Sequence, residues 1–176
     1  MKITNEVFEE VYSLFAKEIF SIAYGYIRNK DDAIDVVQNV FLKLFKVKKD
    51  FNTQADIKYF LIRMTINESL DMLKSSYHKL VVLDNDIVAV SPQQTSDNDL
   101  SKIADCVSLL PSKYKNVIIL YYYNSMKIKD IARALKISES AVKKRLERAR
   151  NIMKKKLEGS NQNDWWKIKR FKNINS

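Results

Sequence analysis

The sequence predicts an all-α protein of two small helical domains joined by a flexible acidic linker. Three observations carry this. Only two glycines and two prolines occur in 176 residues, and apolar residues recur at i, i+3, i+4 and i+7 where strand-like alternation is scarce. Between two such periodic groups lies an aperiodic stretch, residues 79–100, that includes VSPQQTSDND and is long enough to let two domains move apart. The net charge of +10 is uneven: residues 1–77 are balanced, 78–100 carry −3 and 101–176 carry +13. The expected divisions are a first domain at 1–78, the linker at 79–100, a second domain at 101–159 and a basic aromatic tail at 160–176.

In the first domain, Phe8, Val11, Phe15, Ile19 and Ile22 form the apolar seam of one helix whose other face is mixed charge. Asn29-Lys30 breaks the pattern, and Asp31 or Asp32 is expected to cap a second helix, where an acid also suits the macrodipole. Its core face is Ala33, Val37, Val40, Phe41 and Leu44. KKDFNTQA, Lys48 to Ala55, reads as a polar loop. A third helix, Asp56 to about Tyr77, carries a core stripe of Ile62, Ile66, Leu70, Leu73 and Tyr77. Beside it runs a second line, Phe60, Arg63, Asn67, Asp71, Lys74 and His78, with Lys58 and Tyr59 next to its start. Rings, cations and amides interleaved in this way suit single-stranded nucleic acid, which needs stacking surfaces and phosphate partners. The bland alternative makes Tyr59 and Phe60 core and the polar line a solvated face. In the linker, Val81 to Leu83 and Ile87, Val88 and Val90 are expected to be extended, pairing briefly or lining a groove on a partner.

The second domain begins with short helices marked by Ile103, Val107 and Leu110, then, after Pro111, by Tyr114, Val117, Ile118 and Tyr121. KIKDIARALKISESAVKKRLERARNIMKKKL follows. Ile128, Ile131, Ala132 and Leu135 give a half-buried helix, Lys136-Ile137-Ser138 a turn, and Ser138 an N-cap. The next helix buries Val142, Leu146, Ala149, Met153 and Leu157. Its outer face carries Ser140, Lys144, Arg148, Asn151 and Lys155, with Lys143 beside them. From Lys143 to Lys156 there are eight Lys or Arg and one acid, Glu147. Such a face repels itself unless something anionic lies against it. Short helix, tight turn and basic second helix is the helix-turn-helix plan, whose second helix enters the major groove. In the tail, Trp165, Trp166, Ile168 and Phe171 alternate with Lys and Arg, consistent with a short amphipathic helix or a loose end.

Other classes find little support. There is no Gly-rich phosphate loop, HExxH, CxxC pair or GxSxG. One His and one Cys do not build a usual metal or thiol site, so no metal, cofactor, small-molecule substrate or catalytic residue is expected. The single Cys106 rules out an internal disulfide framework and suits a reducing cytosol. No apolar run approaches the ~20 residues of a membrane span, and the N-terminus lacks the apolar core of a signal peptide.

Taken together, the two halves resemble the extracytoplasmic-function sigma factors, the small members of the bacterial sigma-70 family, over roughly Phe8 to Gly159. DAIDVVQNVFLKLF is similar to the family's D-A-x-D-x-x-Q-x-x-F pattern in Asp32, Ala33, Asp35, Gln38 and Phe41. YFLIRMTINESLDMLK is similar to W-L-x-R-I-A-x-N-x-x-x-D-x-x-R in Leu61, Arg63, Asn67 and Asp71. LLPSKYKNVIILYYY with the helix-turn-helix resembles region 4. The departures are Phe60 for Trp, Lys74 for Arg, Lys136 for the turn Gly, and Ser140-Ala141 for the common G-T. A left-handed Lys136 would cost roughly 1–2 kcal/mol. Lys74 keeps its charge but loses the planar fork.

The resemblance implies a sigma factor, not an enzyme, that brings core RNA polymerase to promoter DNA, as in a stress or envelope response. Asp32, Asp35, Gln38, Asn39, Phe41 and Leu42 would dock on the polymerase clamp. Lys58, Tyr59, Phe60, Arg63, Asn67, Asp71, Lys74 and His78 would hold the opened minus-ten strand, with the Lys48–Ala55 loop helping to form a pocket for a flipped base. Ser140, Lys143, Lys144, Glu147 and Arg148 would read or grip the minus-thirty-five element. The linker would run through the polymerase's cationic channels. The resemblance further implies a bacterial, cytoplasmic, nucleoid-associated protein held by an anti-sigma factor, often a membrane-anchored one. The alternative is a stand-alone helix-turn-helix regulator, which accounts for the second half but not the first.

Overall fold

The computed structural model describes residues 1–83 and 99–157, with side chains for 1–75 and 102–157. Every regular element among them is helical. The chain divides into two compact units, one holding residues 1–75 and the other beginning at Ser76.

The first unit contains α1 (Asn5–Ile27), α2 (Lys30–Phe45) and α3 (Gln54–Leu83). Thr4 caps α1, its hydroxyl accepting from the Val7 N–H. α1 ends at Arg28, which is left-handed (φ 59°) and donates its N–H to the Tyr24 carbonyl. The next residue, Asn29, caps α2: its side-chain oxygen accepts from the Asp31 and Asp32 amides at 2.9 and 3.2 Å. The expected Asp cap is therefore displaced by two or three residues. Both acids sit inside the first turn, where they still face the positive end of the helix. The core holds most of the apolar stripes read from sequence, with Ala23, Tyr26, Val36, Ile57 and Leu61 added; Phe8, Phe15, Leu70 and Leu73 are only half-buried at its margin, and the side chain of Tyr77 lies outside the described residues. Burial raises the Tyr26 phenol pKa and keeps it protonated.

The α2–α3 connection is less polar than its sequence suggests. Phe51 is buried, and its N–H donates to the Met1 carbonyl at 3.0 Å. Thr53 and Asp56 then form a reciprocal cap. The Asp56 carboxylate accepts from the Thr53 N–H at 3.0 Å, and the Thr53 hydroxyl oxygen accepts from the Asp56 N–H at 3.2 Å; this is a capping box with Asp at its third position. Polar ties hold the three helices together around the core: Gln54 to Glu10 at 3.0 Å, Lys58 to Glu18 at 2.8 Å, and Lys43 to Glu68. α3 continues to Leu83, so Val81 to Leu83 are helical, not extended as expected. Ile87, Val88 and Val90, with the rest of 84–98, lie outside the described residues, as does the 160–176 tail.

The second unit contains α4 (Asp99–Ser108), α5 (Ser112–Ile118), a π-helical turn (Ile119–Tyr123), α6 (Ile128–Leu135) and α7 (Glu139–Leu157). Pro111 opens α5, fixing φ at −53° just before the first helical residue, where its missing N–H costs little. α4 and α5 pack on α7. Ile103, Val107, Leu110, Val117, Ile118, Ile131, Val142, Leu146, Ala149 and Met153 are buried, so α7 supplies one wall of the core while its outer face stays free.

Candidate nucleic-acid interface

The geometry of the second unit turns on the α6–α7 connection. Lys136 is left-handed at φ 53°. The Ile137 N–H donates to the Ala132 carbonyl at 3.0 Å, and the Lys136 N–H to the Arg133 carbonyl at 3.3 Å. These are the two bonds of a Schellman motif, which usually places Gly at the left-handed position. Ser138 then caps α7, its Oγ accepting from the Ala141 N–H at 3.1 Å and lying 2.9 Å from Ser140 Oγ. With both ends of the turn fixed, α7 presents one exposed face. Ser140, Lys143, Lys144, Glu147, Arg148, Asn151 and Lys155 are all exposed, and Val142, Leu146, Ala149, Met153 and Leu157 are all buried. A cationic helix face so held is suited to phosphates and base edges.

Two basic residues of α7, Arg145 and Arg150, are drawn in from that face. Arg150 is half-buried; its Nε donates to the Tyr122 hydroxyl at 2.9 Å, and its guanidinium lies 5.8 Å from that ring's centre.

In the first unit, the expected strand-binding residues split into two groups. Asn67, Asp71 and Lys74 are exposed along α3, with Arg63 and Phe60 half-buried at its start. The Lys74 ammonium and Asp71 carboxylate are 3.5 Å apart, and both side chains are more than 70% exposed, so solvent screens the pair. The Phe60 ring meets Phe51 edge-on at 5.3 Å, which holds it from beneath and leaves part of it free. Lys58 stands apart: its ammonium is paired with Glu18 and lies 5.9 Å from the Phe15 ring centre, so it braces α3 against α1. Tyr59 is half-buried; the side chain of His78 lies outside the described residues.

The expected polymerase-facing residues of α2 also divide. Asp32, Asp35, Gln38, Asn39 and Leu42 are exposed, while Phe41 is 2% exposed. Phe41 supports a surface cluster that the sequence pattern missed. Its ring meets Tyr12 at 4.8 Å and Phe8 at 6.1 Å, and Phe8 meets Phe45 at 5.4 Å. Tyr12, Leu42 and Phe45 are each about half exposed (48, 56 and 51%). These three lie off the buried seams of α1 and α2, so large side chains there have no core to enter; that was the available signal.

A three-helix unit with an exposed polar line along α3, followed by a helix-turn-helix unit with a free cationic face, is the plan of a two-part promoter-binding protein. Residues 11–78 match the family described as Sigma-70 region 2, and residues 100–153 match Sigma-70, region 4. The chain belongs to the sigma-70 family, in its extracytoplasmic-function group. It is 26% identical to the RNA polymerase sigma factor SigV of Bacillus subtilis over 141 residues, spanning 80% of this chain and 85% of that protein. It is 24% identical to the ECF RNA polymerase sigma factor SigW of the same species, over 87% of this chain and 90% of that one. The fold is shared with the sigma factor RpoE from Bartonella quintana, solved in complex with the anti-sigma factor NepR (TM-score 0.63, 21% identity, 88% of this chain and 98% of that one). It is also shared with CnrH, solved in complex with the cytosolic domain of CnrY (TM-score 0.64, 19% identity, 90% and 92%).

Proposed function

We propose that this chain is an alternative sigma factor that directs core RNA polymerase to specific promoters and opens them, while the polymerase itself makes every bond. The observation that carries the reading is the line on α3 from Phe60 through Asn67 and Asp71 to Lys74. It lies in a unit with no net charge, and a stand-alone helix-turn-helix regulator has no use for it. α7 would grip and read the minus-thirty-five duplex through Ser140, Lys143, Lys144, Glu147 and Arg148. The Phe60 ring, propped by Phe51, would stack on a base of the opened strand, offsetting part of the few kcal/mol that unstacking costs. Asp32, Asp35, Gln38, Asn39 and Leu42 would dock on the polymerase, with Phe41 shaping that surface from beneath. The place of action would be the bacterial cytoplasm, at the nucleoid. The two solved relatives are each bound by a partner protein, and this chain is expected to be held by an anti-sigma factor until released.

The test is transcription in vitro with core polymerase and a pool of promoter fragments. Start sites should appear only when the chain is added. Phe60→Ala should impair linear templates more than pre-melted ones, and Arg148→Ala should weaken both. Tight duplex binding without initiation by core enzyme would instead favour the stand-alone regulator.

A further inference from the structure

The π-helical turn has a use that the sequence does not announce. Ile119–Tyr123 carries one more residue per turn than an α-helix, and such turns concentrate at functional sites. Asn124 closes it twice over: its backbone N–H and its side-chain amide both donate to the Ile119 carbonyl, at 3.2 and 3.1 Å. The Met126 N–H reaches back to the Leu120 carbonyl at 3.0 Å, and Ser125 between them is left-handed at φ 50°. The turn is thus fixed by its own hydrogen bonds, and it buries Tyr122. The hydroxyl and ring face of Tyr122 both meet Arg150, two residues beyond Arg148 of the exposed α7 face.

We infer that Tyr122 and Arg150 are positioning residues for promoter reading: the π turn clamps α7 through Arg150 and so sets how its free face meets the groove. On this account Arg150 is not one of the phosphate-gripping cations, although it lies in the most basic stretch of the chain. A tyrosine is required because one group must supply both a hydrogen-bond acceptor and a ring face. The inference rests on the proposed role of α7 in reading duplex DNA.

The experiment uses the full chain and a duplex that the unaltered chain enriches from a random pool, with a scrambled duplex of equal composition as reference. Binding to both is followed over a salt series, at a temperature where every variant is folded by circular dichroism. Tyr122→Phe, which keeps the ring, and Arg150→Gln should each lower the enriched-to-scrambled affinity ratio, by about ten-fold. The double variant should lose little more than either alone, as two halves of one contact do. The salt slope should stay unchanged, because no phosphate contact has been removed. Arg148→Ala is the control and should flatten that slope by about one unit.

Three results overturn the inference. A slope that flattens with Arg150→Gln while Tyr122→Phe binds normally makes Arg150 a phosphate ligand. An affinity ratio that both variants leave intact, with only a lower melting temperature, makes the contact a brace and nothing more. If the unaltered chain enriches no duplex, or Arg148→Ala changes nothing, the reading of α7 itself falls, and this inference with it.

Discussion

Individual residues decide how tightly the recognition helix is held. Lys136 occupies a left-handed position that glycine fills without a Cβ clash, so Lys136→Gly should stabilise the second unit by up to about 1 kcal/mol. The gain is partly offset by glycine's greater freedom when unfolded. Ser138→Ala removes the α7 cap and should cost about 1 kcal/mol. Denaturant melts of the two variants should move in opposite directions. The left-handed turn position and the Ser138 cap were both legible, because capping and turn chemistry are local. Asn29 was not: Asn-Lys was read as the end of one helix, although Asn is among the strongest N-caps, and the neighbouring acids drew the cap to themselves. Lys58 shows a different limit of the sequence. A cation beside an aromatic line looks the same in sequence whether it faces DNA or, as here, Glu18 and Phe15. Lys58→Ala should therefore lower stability, by no more than about 1 kcal/mol for a part-exposed pair. It should also leave the salt slope of promoter binding unchanged, whereas Lys144→Ala should flatten it by about one unit.

At the scale of elements, amphipathic periodicity located all three long helices of the first unit and the helix-turn-helix of the second. What it missed lies where periodicity fails. The KKDFNTQA connection contains one large apolar residue, too few to make a pattern, yet Phe51 is 3% exposed and supports Phe60. Phe51→Ala should cost about 3 kcal/mol or more. By releasing Phe60, it should also impair opening of linear templates more than pre-melted ones, which separates it from a core substitution such as Val40→Ala. The π turn was invisible because ILYYY is apolar throughout and carries no phase. Leu42 is legible through the family resemblance, but the half-exposed Tyr12 and Phe45 are not, because helical patterns select the buried stripe and say nothing of apolar residues off it.

For the whole molecule, the division of charge is the organising fact. The half up to Tyr77 is neutral and the half from Ser101 carries +13. Promoter capture should then weaken steeply as salt rises, and that loss should belong to the second unit, while docking on polymerase through the part-apolar face of the first, whose unit carries no net charge, should respond less to salt. Measuring both equilibria over one salt series checks this, and equal slopes would contradict it.

Cys106 adds a practical consequence. It is the sole thiol of the chain and is buried in α4, where burial also raises its pKa. A thiol reagent therefore has nothing to modify in the first unit, and modifies the second only when that unit opens. The rate of labelling is a built-in clock for the breathing of the helix-turn-helix unit. Run with and without a bound duplex, it reports how far DNA steadies that unit, with no added probe or substituted residue.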